Sequence, residues 1–155
     1  MPAHSMGFDV VATDRGSERE ALAKQLGANR YIDAAATEVG KALAALGGAK
    51  AVIATAPNAK AMSEAIDGLS VDGVLVALGV PEEPMVIAVR ALLSGRKVTG
   101  SSGGASVEAE DAMKFGVQSG VRPIIETMPL ERAAEAYDRM MAGQARFRIV
   151  LTTGL

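Results

Sequence analysis

The sequence predicts an α/β fold, with a parallel, doubly wound sheet covered by helices on both faces. Three observations carry that prediction. Short apolar, β-prone runs alternate with amphipathic stretches of roughly ten residues, the pattern of strand–helix–strand units. The stretch Phe8 to Gly27 reads as one such unit, a buried strand followed by a turn, a helix and a closing glycine. Gly73 to Leu78, Gly-Val-Leu-Val-Ala-Leu, is the strongest strand signal in the chain. With no linker, low-complexity tract or internal repeat, a single domain over residues 1–155 is the simplest organisation.

The elements follow in order. Met1 to Gly7 reads as a frayed end or the last turn of a helix. Val10, Val11 and Ala12 form an apolar run that gives way to Thr13 and Asp14. Ser17 and Glu20 have capping-box spacing, Ala21, Leu22 and Leu26 supply an apolar stripe, and Gly27 stands where a helix C′ glycine belongs. Tyr31 and Ile32 begin a second strand that stops at Asp33. Thr37 is placed to cap a helix with Val39, Leu43 and Leu46 on one side, closed by Gly47-Gly48. Ala51 to Thr55 is a third strand. Asn58 is placed to cap a helix with Met62, Ala65, Ile66 and Leu69 at helical spacing. Gly79-Val80-Pro81 ends the strong strand that follows. Met85 to Ser94 fits both a helix and an extended segment. Lys97 to Gly100 is a fifth strand, running into Ser101-Ser102-Gly103-Gly104. Ser106 caps a helix whose Ala109, Ala112, Met113, Gly116 and Val117 share one face. Pro123 to Ile125 is extended. Leu130 to Met141 is a helix with Ala133, Ala134, Tyr137 and Met141 inward, and Phe147 to Thr152 is the last strand.

Composition narrows the function classes. The 155 residues suffice for a real core, and with aromatics at 3% that core must be built from Ala, Val, Leu, Ile and Met. A net charge of −2 gives no reason to expect nucleic acid or an anionic membrane as partner. The chain has no cysteine and one histidine, which excludes disulfides, thiolate metal sites and a histidine cluster. The segment Met1 to Met6 lacks the regions of a signal peptide, and no apolar run is long enough to span a bilayer. A soluble cytoplasmic protein is the expectation.

Asp14 is the leading candidate site residue. In a dinucleotide-binding fold, a carboxylate at the end of the second parallel strand accepts hydrogen bonds from the adenosine ribose hydroxyls. The competing reading is a turn acid or helix cap. Ser101, Ser102 and Ser106 have no histidine base, so nucleophilic catalysis is not expected. The carboxylates Glu82, Glu83, Glu108, Glu110 and Asp111 fall in turns or near a helix start and form no paired acid/base site.

The ordered set Asp14…Leu26-Gly27-Ala28, Ala51–Thr55, Val76–Pro81, Leu92–Arg96, Gly100–Gly103 and Arg148–Leu151 resembles the coenzyme half of zinc-dependent alcohol dehydrogenases, in the medium-chain dehydrogenase/reductase family. The similarity runs from about Met6 to Leu151. It implies a Rossmann-like fold and an NAD cofactor, with NADP less favoured because an acid at position 14 would repel a 2′-phosphate. It implies that Asp14 holds the ribose and that Arg15 and Arg19 flank the adenine, Arg15 being an alternative partner for a 2′-phosphate. Thr55 and Ala56 would line the adenine and ribose side. Leu78, Gly79 and Val80, with Ser101 and Ser102, would bracket the nicotinamide, and Arg148 would reach the pyrophosphate. The strand near Lys97 would lie at a dimer interface, making a homo-oligomer the expectation. Taken one at a time, the arginines also fit a solvated surface and the glycine and serine turns fit ordinary punctuation.

The family's glycine fingerprint, its first strand and its zinc-binding catalytic domain would all precede Met1. The expectation is therefore a truncated dinucleotide-binding domain, inactive alone, with no zinc ligands and no catalytic residues in this chain. Loss of a central strand would leave two apolar edges facing a gap. Pairing of Asp9–Thr13 with Ala51–Thr55, insertion of Phe147–Thr152, or a partner molecule would close it. The alternatives are a non-enzymatic self-associating module, or another nucleotide-binding α/β enzyme such as a methyltransferase; the turns at Leu78–Pro81 and Ser101–Gly104, with Arg148, weigh against the latter.

Overall fold

The computed structural model describes residues 2–154. They form two compact units, 1–112 and 113–155, with the division falling inside one helix. In the first unit, a helical turn α1 (Pro2–Ser5) leads to β1 (Val11–Asp14), a 3₁₀ turn Ser17–Arg19, α2 (Glu20–Gln25) and β2 (Arg30–Asp33). Then come α3 (Val39–Ala45), β3 (Ala49–Ala54), α4 (Ala59–Asp67), β4 (Leu69–Ala77), α5 (Val89–Leu93) and β5 (Lys97–Gly100). Helix α6 (Ser106–Ser119) crosses the division. The second unit continues with β6 (Ile125–Pro129), α7 (Ala133–Met141) and β7 (Arg148–Thr152).

Every strand pairing is parallel. β1 pairs with β2, with Asp14 opposite Asp33. β3, β4 and β5 form a three-stranded sheet in that order, and β6 pairs with β7. Parallel strands joined through helices make this a Rossmann-like α/β architecture, as the sequence predicts.

The core of the first unit lies along β4. Ala65 and Ile66 of α4, Leu69 and Leu75 of β4, and Ala91 of α5 form a buried cluster, and Val52, Ile87 and Val98 pack against it. Leu69 starts β4 rather than continuing the preceding helix, because Gly68 ends that helix and turns the chain directly into the strand. Asn58 caps α4 as its spacing implies, its Oδ1 accepting the Ala61 N–H at 2.9 Å. Gly27 closes α2 at φ 100°, donating its N–H to the Lys24 carbonyl.

Several local expectations are corrected. Ser17 forms no capping box: Gly16 precedes the 3₁₀ turn and neither helical segment there has a side-chain cap. Thr37 does not cap α3, whose N-cap is Glu38, also without a side-chain bond. Ser106 is the first residue of α6, and Glu108 reaches back instead to accept the Ala105 N–H at 2.6 Å. The shared apolar face of α6 is not buried, with Met113 67% and Val117 69% exposed. In α7 the buried residue is Ala136, whereas Tyr137 and Met141 are exposed. Residues 85–88 form neither helix nor paired strand, and the helix begins only at Val89, after an extended Ala88.

Neither internal closure of the expected gap occurs. β1 pairs only with β2, β3 only with β4, and β7 only with β6 among the described residues.

Candidate functional site

The candidate residues of the first unit gather at strand C-termini, where open parallel sheets place their ligands. Asp14 is the last residue of β1, with its side chain 46% exposed. Its Oδ1 accepts the Arg15 N–H at 2.8 Å, and its Oδ2 accepts from Arg19 Nη1 at 3.0 Å. A carboxylate oxygen accepts more than one hydrogen bond, so this arrangement orients the acid and leaves acceptor capacity for hydroxyl groups. Arg15 is exposed beside it.

The turn after Asp14 is held from β2. Asp33 Oδ1 accepts the Gly16 N–H at 2.8 Å and the Ala35 N–H at 2.8 Å. The Tyr31 hydroxyl donates to the Gly16 carbonyl at 2.6 Å. Gly16 has φ 90°, the left-handed region that favours glycine. The Ala35 and Gly16 N–H groups hold the Asp33 carboxyl below its ordinary range, against the opposing effect of burial. Burial raises the Tyr31 phenol, helped by the nearby Asp14, Asp33 and Glu18 carboxylates, so it remains a donor at neutral pH. Asp33 and Tyr31 do not appear in the sequence-derived site. Their signal was the second strand's ending in an acid, as the first does; only the register of β1 against β2 gives that repetition meaning.

The ends of β3, β4 and β5 supply a second cluster. The N–H groups of Leu78 and Gly79 both donate to the Ala54 carbonyl, at 2.9 and 3.0 Å, and the Ser101 N–H donates to the Ala77 carbonyl at 3.0 Å. A Cβ on Gly79 would lie 2.6 Å from the Ala56 carbonyl oxygen and 2.7 Å from that of Thr55. Only glycine permits this backbone approach, which brings Thr55 and Ala56 against Gly79. Thr55, Ala56, Leu78, Val80, Ser101 and Ser102 are all exposed. Arg148 belongs to the second unit, where it opens β7 opposite Ile125 and is exposed. A small cavity of about 180 Å³ lies elsewhere, between α4, the 86–88 segment and α5, lined by Ser63, Ile66, Asp67 and Ala91 among others.

The residues fit an adenosine ribose better than a metal ion. Asp14 offers an oriented, accessible acid. No group of three or more His, Cys, Asp or Glu residues is placed to hold a metal among the described residues, and the one histidine, His4, lies in α1. The described residues therefore offer no match to the donor sets of a zinc centre.

Parallel strands joined through helices, with exposed turns at their C-terminal ends, define a Rossmann-like α/β protein. The zinc-binding dehydrogenase family model matches residues 1–119, and the chain belongs to that family. Over 150 residues it is 38% identical to the alcohol dehydrogenase notN of Aspergillus sp. (strain MF297-2), covering 97% of this chain and 44% of that protein. Over 151 residues it is 37% identical to an alcohol dehydrogenase of Geobacillus stearothermophilus, covering 96% and 44%. A solved alcohol dehydrogenase zinc-binding domain protein from Burkholderia ambifaria superposes with a TM-score of 0.79 at 25% identity, over 92% of this chain and 41% of that one. The chain thus spans less than half the length of these relatives. No helix among the described residues is long and apolar enough to cross a membrane.

Proposed function

We propose that this chain, residues 1–155 as a whole, is the dinucleotide-binding part of an alcohol dehydrogenase-like oxidoreductase and takes NAD(H). The observation that carries the reading is the Asp14 carboxylate, oriented by Arg15 and Arg19 at the C-terminal end of β1 and open to solvent. Asp14 accepts from the ribose hydroxyls, and its charge disfavours a 2′-phosphate. Arg15 and Arg19 flank the adenine. Thr55 and Ala56 line the adenosine side, and the backbone at Leu78, Gly79, Val80, Ser101 and Ser102 meets the nicotinamide. Arg148 serves the pyrophosphate. The cofactor would supply the hydride chemistry; the residues of this chain bind and orient it. The zinc and the substrate contacts of such an enzyme lie outside this chain, which is inactive alone. A cytoplasmic location and a homo-oligomeric state go with this reading.

Calorimetric titration with NADH tests it. The expected result is saturable binding that Asp14→Ala weakens by about tenfold or more, the scale of losing hydrogen bonds to a charged group. No heat up to about millimolar NADH would overturn it.

A second reading, a self-associating module without nucleotide binding, is favoured by the exposed apolar side chains of α5 and α6, including Leu93 at 83%. Concentration-dependent sedimentation with no NADH signal would select it.

A further inference from the structure

Resting on the cofactor reading, we propose that Asp33 is a positioning residue for the ribose-binding carboxylate, acting through Gly16 with the help of Tyr31. The turn that follows Asp14 has little packing to hold it, since Arg15, Ser17, Glu18 and Arg19 are all exposed. What fixes it is polar. Gly16 donates its N–H to Asp33 and its carbonyl accepts the Tyr31 hydroxyl, so β2 claims both backbone groups of one residue. The two groups that orient the Asp14 carboxylate flank this clamp: the Arg15 N–H immediately before Gly16, and the Arg19 guanidinium at the end of the 3₁₀ turn just after it. Releasing Gly16 frees both and leaves Asp14 unoriented.

A single oxygen of Asp33 accepts both the Gly16 and the Ala35 N–H groups. Asparagine keeps such an oxygen and loses the charge, whereas alanine loses both. The Asp33→Asn and Asp33→Ala pair therefore separates positioning from electrostatic exclusion of a 2′-phosphate. Tyr31→Phe cuts only the bond to the Gly16 carbonyl and keeps the question answerable should Asp33→Ala fail to fold.

The experiment combines amide hydrogen exchange with NADH and NADPH titrations of the full chain. In Asp33→Ala the Gly16 amide exchanges about tenfold faster, as for the loss of a charge-assisted bond, while β4 amides are unchanged. NADH and NADPH affinities fall together. Tyr31→Phe shows the same pattern more weakly, and Asp33→Asn resembles the unaltered chain. Two results overturn the proposal: Gly16 exchange unmoved in both Asp33→Ala and Tyr31→Phe, or a rise in NADPH affinity in Asp33→Asn, which would make Asp33 a charge filter. Absence of any NADH heat from the unaltered chain would defeat the cofactor reading alone, while the Gly16 exchange rates would still decide whether Asp33 holds the turn.

Discussion

In the β3–β4–β5 sheet, Leu75 has no exposed surface, and α4 and α5 close over it with Ile66 and Ala91. In the β1–β2 pair, Ile32 is the one buried strand residue, Val11 and Ala12 are only half-buried, and polar ties are prominent: Arg30 to Asp9, the Val10 N–H to Asn29 Oδ1, and Asp33 and Tyr31 to Gly16. The same parallel ladder is thus supported mainly by packing in one place and to a larger degree by oriented polar groups in the other. The difference has a functional logic. Apolar burial is non-directional and contributes stability in bulk, whereas hydrogen bonds contribute little net energy but fix direction. On the cofactor reading proposed above, the region that would aim the Asp14 carboxylate is the one richer in directional contacts.

Substitutions can break or sharpen that contrast. Leu75→Ala has the largest expected effect, about 3 kcal/mol lost in urea denaturation, because a fully enclosed site leaves a cavity. Gly79→Ala should cost about 1–3 kcal/mol, since its Cβ meets backbone that cannot swing aside. It should also disturb the Leu78–Val80 amide resonances. Asn58→Ala removes the α4 cap at about 1 kcal/mol in the same assay.

Acid should act on the polar region first. The folded-state pKa of Asp33 lies below its ordinary value of 3.8. Its contribution is therefore present above that value and is lost as pH falls through the lower folded pKa, where the unfolded chain binds the proton more readily. The Gly16 amide resonance should shift in that window while those of Val74 to Val76 stay in place; simultaneous loss of both would erase the contrast. Glu126 follows the same sign, its pKa lowered by Arg139 and then by the Arg146 N–H, so Arg139→Ala should reduce the acid sensitivity of the second unit. The smallest effect is expected for Arg30→Ala. Its ion pair with Asp9, though 2.6 Å long, is about half exposed on both sides, and a double-mutant cycle should return only about 0.2–1 kcal/mol.

Legibility in the sequence followed the range of the interactions. Asn58 and Gly27 act on residues within one turn, so spacing alone identifies them. Lys97–Gly100 has the bounds the sequence predicts, because the β-branched pair Val98-Thr99 and the flanking glycines are local signals. The Ser17 capping box does not form because Ser17 is itself the first residue of a 3₁₀ turn, and the Gly16 N–H before it bonds to Asp33, distant in sequence. The α6 stripe was correctly grouped, yet periodicity says only which residues share a face, not what covers it. Strand pairing is the least local property of all, and both internal pairings envisaged for β1, β3 and β7 are absent. Asp14 was recognisable as an acid closing a strand. Its dependence on β2 was not, because that rests on register.

Gly16 carries one more implication, for attempts to re-engineer nucleotide preference. Positions 14, 15 and 19 are adjustable fittings; 16, 31 and 33 are the bracket on which they are mounted. A side chain at 16 would be forced into a positive-φ backbone that glycine adopts readily and other residues do not, at about 1–3 kcal/mol, so libraries that randomise the turn should hold this position fixed.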